Sequence, residues 1–294
     1  MKNTAILRIS CPDRKDIAAA IAEFLYEHGA NILHADQHQD AEYGLFLMRV
    51  EWDLAEFAIP VAQFEGRFRA ITRSFRMDWS LSLSSERPRV AIFVSREDHC
   101  LADLLYRHQS GELACKLALV ISNHPDSRRQ VDFHGIAFHH VPVSQRGKRR
   151  AEAAQLALLR SSAVDLVILA RYMQVLSPAF VKRFPRRIIN IHHSFLPAFH
   201  GGRPYHQAFE RGVKLIGATS HYVTEKLDDG PIIEQDVIRI SHRDAVQDLV
   251  QKGRDLEKVV LSRAVRWHLD SRILVYGPPP RLRKRAAEKT VVFD

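Results

Sequence analysis

Apolar residues are spaced along this chain in two different rhythms. In the first part, Ala5 to Ile9 reads as a strand, and Pro12-Asp13 then opens a helix with Ile17, Ile21, Phe24 and Leu25 at helical spacing, ended by Gly29. Ile32 to Asp40 and Gly44 to Val50 read as two strands joined by a turn from Asp40 to Tyr43. Phe57 to Ile71 and Phe75 to Leu83 supply a second helix and a fourth strand. The order β-α-β-β-α-β is that of the ferredoxin-like split unit, so an α+β domain is predicted over residues 1–84.

The polar segment Ser84-Ser85-Glu86-Arg87-Pro88 reads as a junction, with residues 85–88 as its linker. Beyond it the rhythm changes. Val90 to Val94, Ala114 to Ser122 and Val164 to Leu169 are unbroken apolar runs, alternating with helical stretches near Leu101 to Tyr106 and Arg149 to Arg160. Strands without polar alternation are buried on both faces, which predicts a doubly wound, mostly parallel α/β domain over residues 89–277. Further strands are read at Ile188 to His192, Leu215 to Val223 and Ile232 to Ile240, before a long amphipathic helix from about Asp244 to Leu269. Residues 278–294 read as a basic tail, in which Val291-Val292-Phe293 could dock.

Composition narrows the function classes. With 294 residues, 46% hydrophobic and 26% charged, the chain has the make-up of a globular protein of two domains. The net charge of +9 sits largely in Arg146 to Arg150 and Arg281 to Arg285, without interleaved aromatics, and so suggests attraction of small anions and no nucleic-acid partner. Cys11, Cys100 and Cys115 are an odd, widely spaced set with no disulfide-like framework, which fits a reducing cytoplasm. No apolar run is long enough for a signal-peptide core or a membrane helix, so no membrane partner and a cytoplasmic location are expected.

Sites in open α/β sheets lie beyond the carboxyl ends of the strands. Asn190 and His192, two residues apart on a predicted strand, share a face and offer an uncharged N–H donor and a group that exchanges protons near neutral pH. A second polar place is the turn from Ser220 to Pro231, which carries Asp228 and Asp229. Taken singly, each has a plainer reading, as satisfied core polar residues and as a solvated Asp-Asp-Gly-Pro corner.

Together they resemble the formyl-folate transferase and hydrolase superfamily, most closely its formyltetrahydrofolate deformylase branch. The resemblance rests on Asn190-x-His192, Ser194-x-Leu196-Pro197, Pro204 to Ala208, Ile216 to Thr219, His221-x-Val223, Leu227-Asp228-x-Gly230-Pro231, and Glu257-Lys258 with Leu261 to Ala264. It covers nearly the whole chain up to about Tyr276 and implies hydrolysis of 10-formyltetrahydrofolate to formate and tetrahydrofolate, serving one-carbon balance and purine synthesis. It implies that Asn190 and His192 stabilise the developing oxyanion, and that Asp228 orients and deprotonates water and relays the proton towards N10. An Asp is a weak base unless its site raises its pKa, so Asp228 is expected to be partly shielded from solvent.

By the same resemblance, folate lies along Arg171, Tyr172, Met173, Gln174, Val175 and Leu176. Val223, Thr224 and Leu227 close the other side. The folate is the substrate; no cofactor and no metal are expected, since His193, His200, His206 and His221 form no His-x-x-x-His pair with a nearby acidic ligand. His206 and His221 are instead expected to order the surrounding loops, and Ser194 to support the turn.

The nearest rival activity, glycinamide ribonucleotide formyltransferase, takes its phosphate grip from a Gly-rich turn after the first strand of this domain. Here that turn reads Ser95-Arg96-Glu97-Asp98-His99-Cys100, without glycine and with two carboxylates. The first domain resembles an ACT regulatory domain, so a non-catalytic folate or amino-acid sensor is a further alternative. Asp16 stands where ACT domains place a glycine that lets a ligand approach, which favours homo-oligomerisation over amino-acid binding.

Overall fold

The computed structural model describes residues 3–197, 204–278 and 287–294. The chain forms two compact units, Met1–Glu86 with Asp270–Asp294, and Arg87–Leu269.

In the first unit β1 (Thr4–Pro12), α1 (Ile17–Glu27), β2 (Asn31–Asp40), β3 (Leu45–Asp53), α2 (Val61–Phe75) and β4 (Asp78–Leu83) follow in the predicted order. The sheet is antiparallel, ordered β2-β3-β1-β4. Strand alternation turns Leu7 and Ile9 of β1 and Val50 and Trp52 of β3 onto one face, where they form a core with Ile17, Ile21, Leu25, Phe64 and Phe68. Helix α1 starts later than Pro12-Asp13 suggested because β1 runs through Pro12. Asp16 precedes it with φ 71°, so this non-glycine residue holds the left-handed backbone that a glycine would hold freely.

The second unit comprises β5 (Arg89–Val94), α3 (His99–Gln109), β6 (Lys116–Ser122), α4 (Arg128–Phe133), β7 (Ala137–His140), α5 (Lys148–Ser161), β8 (Leu166–Ala170), α6 (Pro178–Val181), β9 (Ile188–His192), α7 (Pro204–Glu210), β10 (Leu215–Tyr222), β11 (Ile232–Arg239) and α8 (Val246–Leu269). Its seven-stranded sheet runs β11-β10-β9-β8-β5-β6-β7. Strands β5 to β9 are parallel, and β10 pairs antiparallel with both β9 and β11. The mostly parallel α/β class is therefore as expected. The short elements α4, β7, α6 and α7 carry too few residues for a period to show in the sequence. Strand order reverses at β5, and at that switch point Ser95 Oγ donates to Asn123 Oδ1 (2.7 Å) and accepts the Met173 N–H (3.0 Å).

The C-terminal end departs from the sequence reading. Residues 270–278 and 287–294 belong to the first unit, although 277 was read as the end of the second domain and 278–294 as a separate tail. They form the hairpin β12 (Ile273–Tyr276) and β13 (Lys289–Val292). The physical reason is the second face of the first sheet, where Tyr43, Leu47, Leu274, Tyr276 and Phe293 make a small core. Arg49 donates to the Ser271 carbonyl (3.2 Å) and Arg8 to the Ile273 carbonyl (2.7 Å). The basic run Arg281 to Arg285 lies outside the described residues.

Candidate active site

The loop leaving β8 forms one wall of a cleft. Arg171 adopts φ 60°, a left-handed conformation that costs a non-glycine residue about 1 kcal/mol or more unless its surroundings impose it. They do so from several sides. Tyr172 is 6% exposed and packs edge-on to Phe93, and its hydroxyl accepts from Gln155 Nε2 (2.8 Å). Burial pushes that hydroxyl up to about 12. Glu152, one helical turn from Gln155 on α5, accepts the Ser177 N–H (2.8 Å), and Ser95 holds Met173 from below. Met173 and Val175 remain exposed at the rim, while Leu176 is buried.

The facing wall is the segment from Val223 to Pro231. Gly230 makes its return possible, since a Cβ there would lie 1.7 Å from the Tyr222 carbonyl oxygen. The Tyr222 N–H donates to the Pro231 carbonyl (2.9 Å) and the Val223 N–H to the Ile188 carbonyl (2.9 Å), closing the segment against β9. Asp228 turns with φ 52° at its inner end. Leu227 and Lys226 are exposed, and Lys226 is ion-paired with Asp229 (2.9 Å).

Between the walls lies a cavity of about 270 Å³, lined by all nine residues expected to bind the ligand, Arg171 to Leu176, Val223, Thr224 and Leu227, and by Asn190, His192, His221 and Asp228. Antiparallel pairing of β9 and β10 sets Asn190 opposite His221. His192 Nδ1 lies 3.2 Å from Asp228 Oδ2, and His221 Nε2 lies 3.6 Å from Asp228 Oδ1. His221 donates its Nδ1–H to the Tyr222 carbonyl (3.0 Å), and its Nε2 lies 3.2 Å from Asn190 Nδ2. His192 Nε2 has no hydrogen-bond partner among the described residues.

Asp228 is shielded, its side chain 14% exposed. Its pKa moves opposite to the rise that a strong base would need. Hydrogen bonding to His192 first, and then to His221, holds the carboxyl well below the usual range against the effect of burial. His221, expected only to order a loop, thus touches both Asn190 and Asp228. Its pairing position on β10 placed it there, and strand register was not legible from the motif spacing.

Behind the cleft stands a second polar cluster that the sequence reading did not single out. Glu257 of α8 is 1% exposed and contacts His99 Nε2 (2.8 Å), Tyr205 OH (2.5 Å) and Arg171 Nε (3.4 Å). A signal was present, because Glu257 interrupts the buried stripe Leu249, Gly253, Leu261 and Ala264 of an otherwise ordinary amphipathic helix. His99, Cys100 and Glu257 bring donor atoms within 4.8 Å of one another. Arg171 already supplies a positive charge there, and burial raises the Cys100 thiol well above its ordinary pKa, so the donor set suits hydrogen bonding better than metal ligation. His193 borders both clusters, while His206 is exposed on α7 and His200 lies outside the described residues. Ser194 is buried in the turn, where its carbonyl accepts from Thr219 Oγ1 (2.8 Å). The turn after β5 presents no glycine, and its Glu97 pairs with Arg254 of α8 (2.5 Å).

A carboxylate, two imidazoles and an amide thus converge on an apolar cleft of an open α/β sheet, and the formyl transferase family profile matches residues 88–265. Formyltetrahydrofolate deformylase of Synechocystis is 55% identical over 99% of this chain and 98% of its own length. The crystal structure of a formyltetrahydrofolate deformylase from Pseudomonas syringae pv. tomato superposes with a TM-score of 0.94 at 48% identity, covering 100% of this chain and 95% of that one. A glycinamide ribonucleotide transformylase from Symbiobacterium toebii covers 71% of this chain and 95% of its own, with a TM-score of 0.63 at 30% identity. The chain belongs to the formyltetrahydrofolate deformylase family, within the formyl transferases.

Proposed function

We propose that this protein hydrolyses 10-formyltetrahydrofolate to formate and tetrahydrofolate, with Asp228, His192 and Asn190 as its catalytic residues. The observation that carries the reading is the ionised, shielded Asp228 held against His192 at the inner end of the cleft. Folate lies between the loop 171–176 and the segment 223–227, its N10-formyl group beside Asn190 and His192.

Asp228 accepts a hydrogen bond from the attacking water and aims it at the formyl carbon. As the new C–O bond forms, the carbonyl electron pair moves onto oxygen, where an Asn190 N–H and a His192 N–H stabilise it; aimed donors of this kind are worth about 10²–10³ in rate. A water proton passes by way of Asp228 to N10, the C–N10 bond breaks, and formate leaves. A carboxylate held this strongly ionised serves chiefly to orient the water and relay its proton. Water is the acceptor and no metal or cofactor takes part. The glycine-free turn after β5, with Glu97 tied to Arg254, favours this over transfer to a phosphorylated amine.

The first unit is assigned to self-association in the cytoplasm. Strand β2 is an exposed ten-residue edge paired only with β3, and the three cysteines are free and buried. No described helix is long and apolar enough to cross a membrane. The test of the activity is tetrahydrofolate and formate release from 10-formyltetrahydrofolate without an amine acceptor. Turnover by the natural chain, reduced about 10²–10⁴-fold in Asp228→Asn, is the expected result; turnover only after glycinamide ribonucleotide is added would overturn it.

A further inference from the structure

We propose that Glu257 is a positioning residue of the folate site, acting through Arg171 on the cleft-lining loop and through Tyr205 on His193 beside His192; the inference rests on the deformylase reading above. The carboxylate lies behind the cleft and is missing from its lining, so any effect on the reaction must pass through the residues it holds. Burial alone would raise its pKa. The hydrogen bond from His99, the charge of Arg171 and the hydrogen bond from Tyr205 together bring it below the ordinary value, so the interior holds an anion. A buried carboxylate with so many donors is kept in one geometry, and it fixes its partners in turn.

Those partners belong to two working elements. Arg171 opens the cleft-lining loop in a strained left-handed conformation, and Glu257 Oε2 sits 3.4 Å from its Nε. Tyr205 donates to Glu257 Oε1, and its ring meets His193 edge-on at 6.3 Å. His193 directly follows His192. Helix α8 is shaped for this arrangement, because Gly253, one turn before Glu257, is where a Cβ would lie 2.1 Å from Tyr205 OH. One carboxylate therefore ties the folate-facing loop to the end of the strand that carries Asn190 and His192. His99 completes the cluster from the first turn of α3 without entering the cleft.

The two arms separate kinetically. Glu257→Gln keeps the shape and removes the charge that holds Arg171, and is expected to raise both KM and the tetrahydrofolate dissociation constant about 10–100-fold and to lower kcat. Tyr205→Phe removes one hydroxyl, keeps the fold, and is expected to lower kcat while leaving KM within about twofold. Both variants are assayed per folded molecule, with circular dichroism giving the folded fraction and product binding measured apart from turnover. A purely structural role predicts a lower thermal midpoint with kcat, KM and tetrahydrofolate affinity all within twofold of the natural chain, and that result overturns the proposal. Should Glu257→Gln fail to fold, an unchanged kcat in Tyr205→Phe overturns the Tyr205 arm and with it the proposal. If the natural chain binds tetrahydrofolate but does not turn over 10-formyltetrahydrofolate, the deformylase reading fails, while weaker binding by Glu257→Gln still supports the positioning role and equal binding overturns it.

Discussion

The second unit contains two carboxylates set among histidines, and they are built differently. Glu257 is 1% exposed and closed in, with Tyr205, His99 and Arg171 at 2.5, 2.8 and 3.4 Å. Asp228 is 14% exposed, with His192 at 3.2 Å and His221 at 3.6 Å, and His192 Nε2 is unpartnered among the described residues. Both carboxyls are held ionised, for the same electrostatic reason. The difference is spare bonding capacity. A cluster that must receive water and a developing oxyanion keeps longer contacts and an open donor, whereas one that must hold its neighbours still is buried behind shorter contacts.

Three changes would break or sharpen this contrast. The largest effect is expected from Asn190→Ala, which removes a donor from the open cluster. It should lower kcat about 10²–10³-fold with little change in thermal stability, measured as acceptor-free tetrahydrofolate release. Equal losses in stability and rate would mean that the open cluster is as structural as the closed one.

Next is a stability effect of pH at His193, between the clusters. Burial first, then the charges of Arg171 and His192, push its pKa from 6.5 down to about 4. Because the folded pKa is the lower one, the unfolded chain takes up the proton first as pH falls. Its contribution, about 3 kcal/mol at most, is present above pH 6.5 and is lost as pH falls towards 4. Thermal midpoints of the natural chain should drop through this window, and those of His193→Gln should drop less.

The smallest effect belongs to Gly253→Ala. Its Cβ would displace the Tyr205 ring from the closed cluster, costing about 1–3 kcal/mol by overpacking and outweighing the roughly 1 kcal/mol of helix propensity that Ala gains over Gly. Denaturant unfolding measures it, and an unchanged midpoint would show that the closed cluster can yield.

Much of this was written locally. The unbroken apolar runs of β5 and β8, the 3.6-residue stripe of α1 and the two-residue spacing of Asn190 and His192 are all properties of neighbouring positions. The Leu227-Asp228-x-Gly230-Pro231 turn was legible for the same reason, and Gly230 shows why it needs glycine. Other features depend on residues far apart in the chain. Asp228 was expected to need a raised pKa, and only the convergence of His192 and His221 from β9 and β10 reverses the direction. The hairpin of β12 and β13 was read as a domain end and a tail because nothing near it announces that the first sheet has a second apolar face to cover.

The sequence by itself determined the order of β1 to β4 with their helices, the mostly parallel sheet and the identity of the chemical groups, because backbone periodicity and turn chemistry act over a few residues. Tertiary structure alone decided which carboxylate lines the cleft and which is buried behind it. That choice depends on the register that sets Asn190 opposite His221, and on the packing of α8 that brings Glu257 to Arg171 and Tyr205 across the fold.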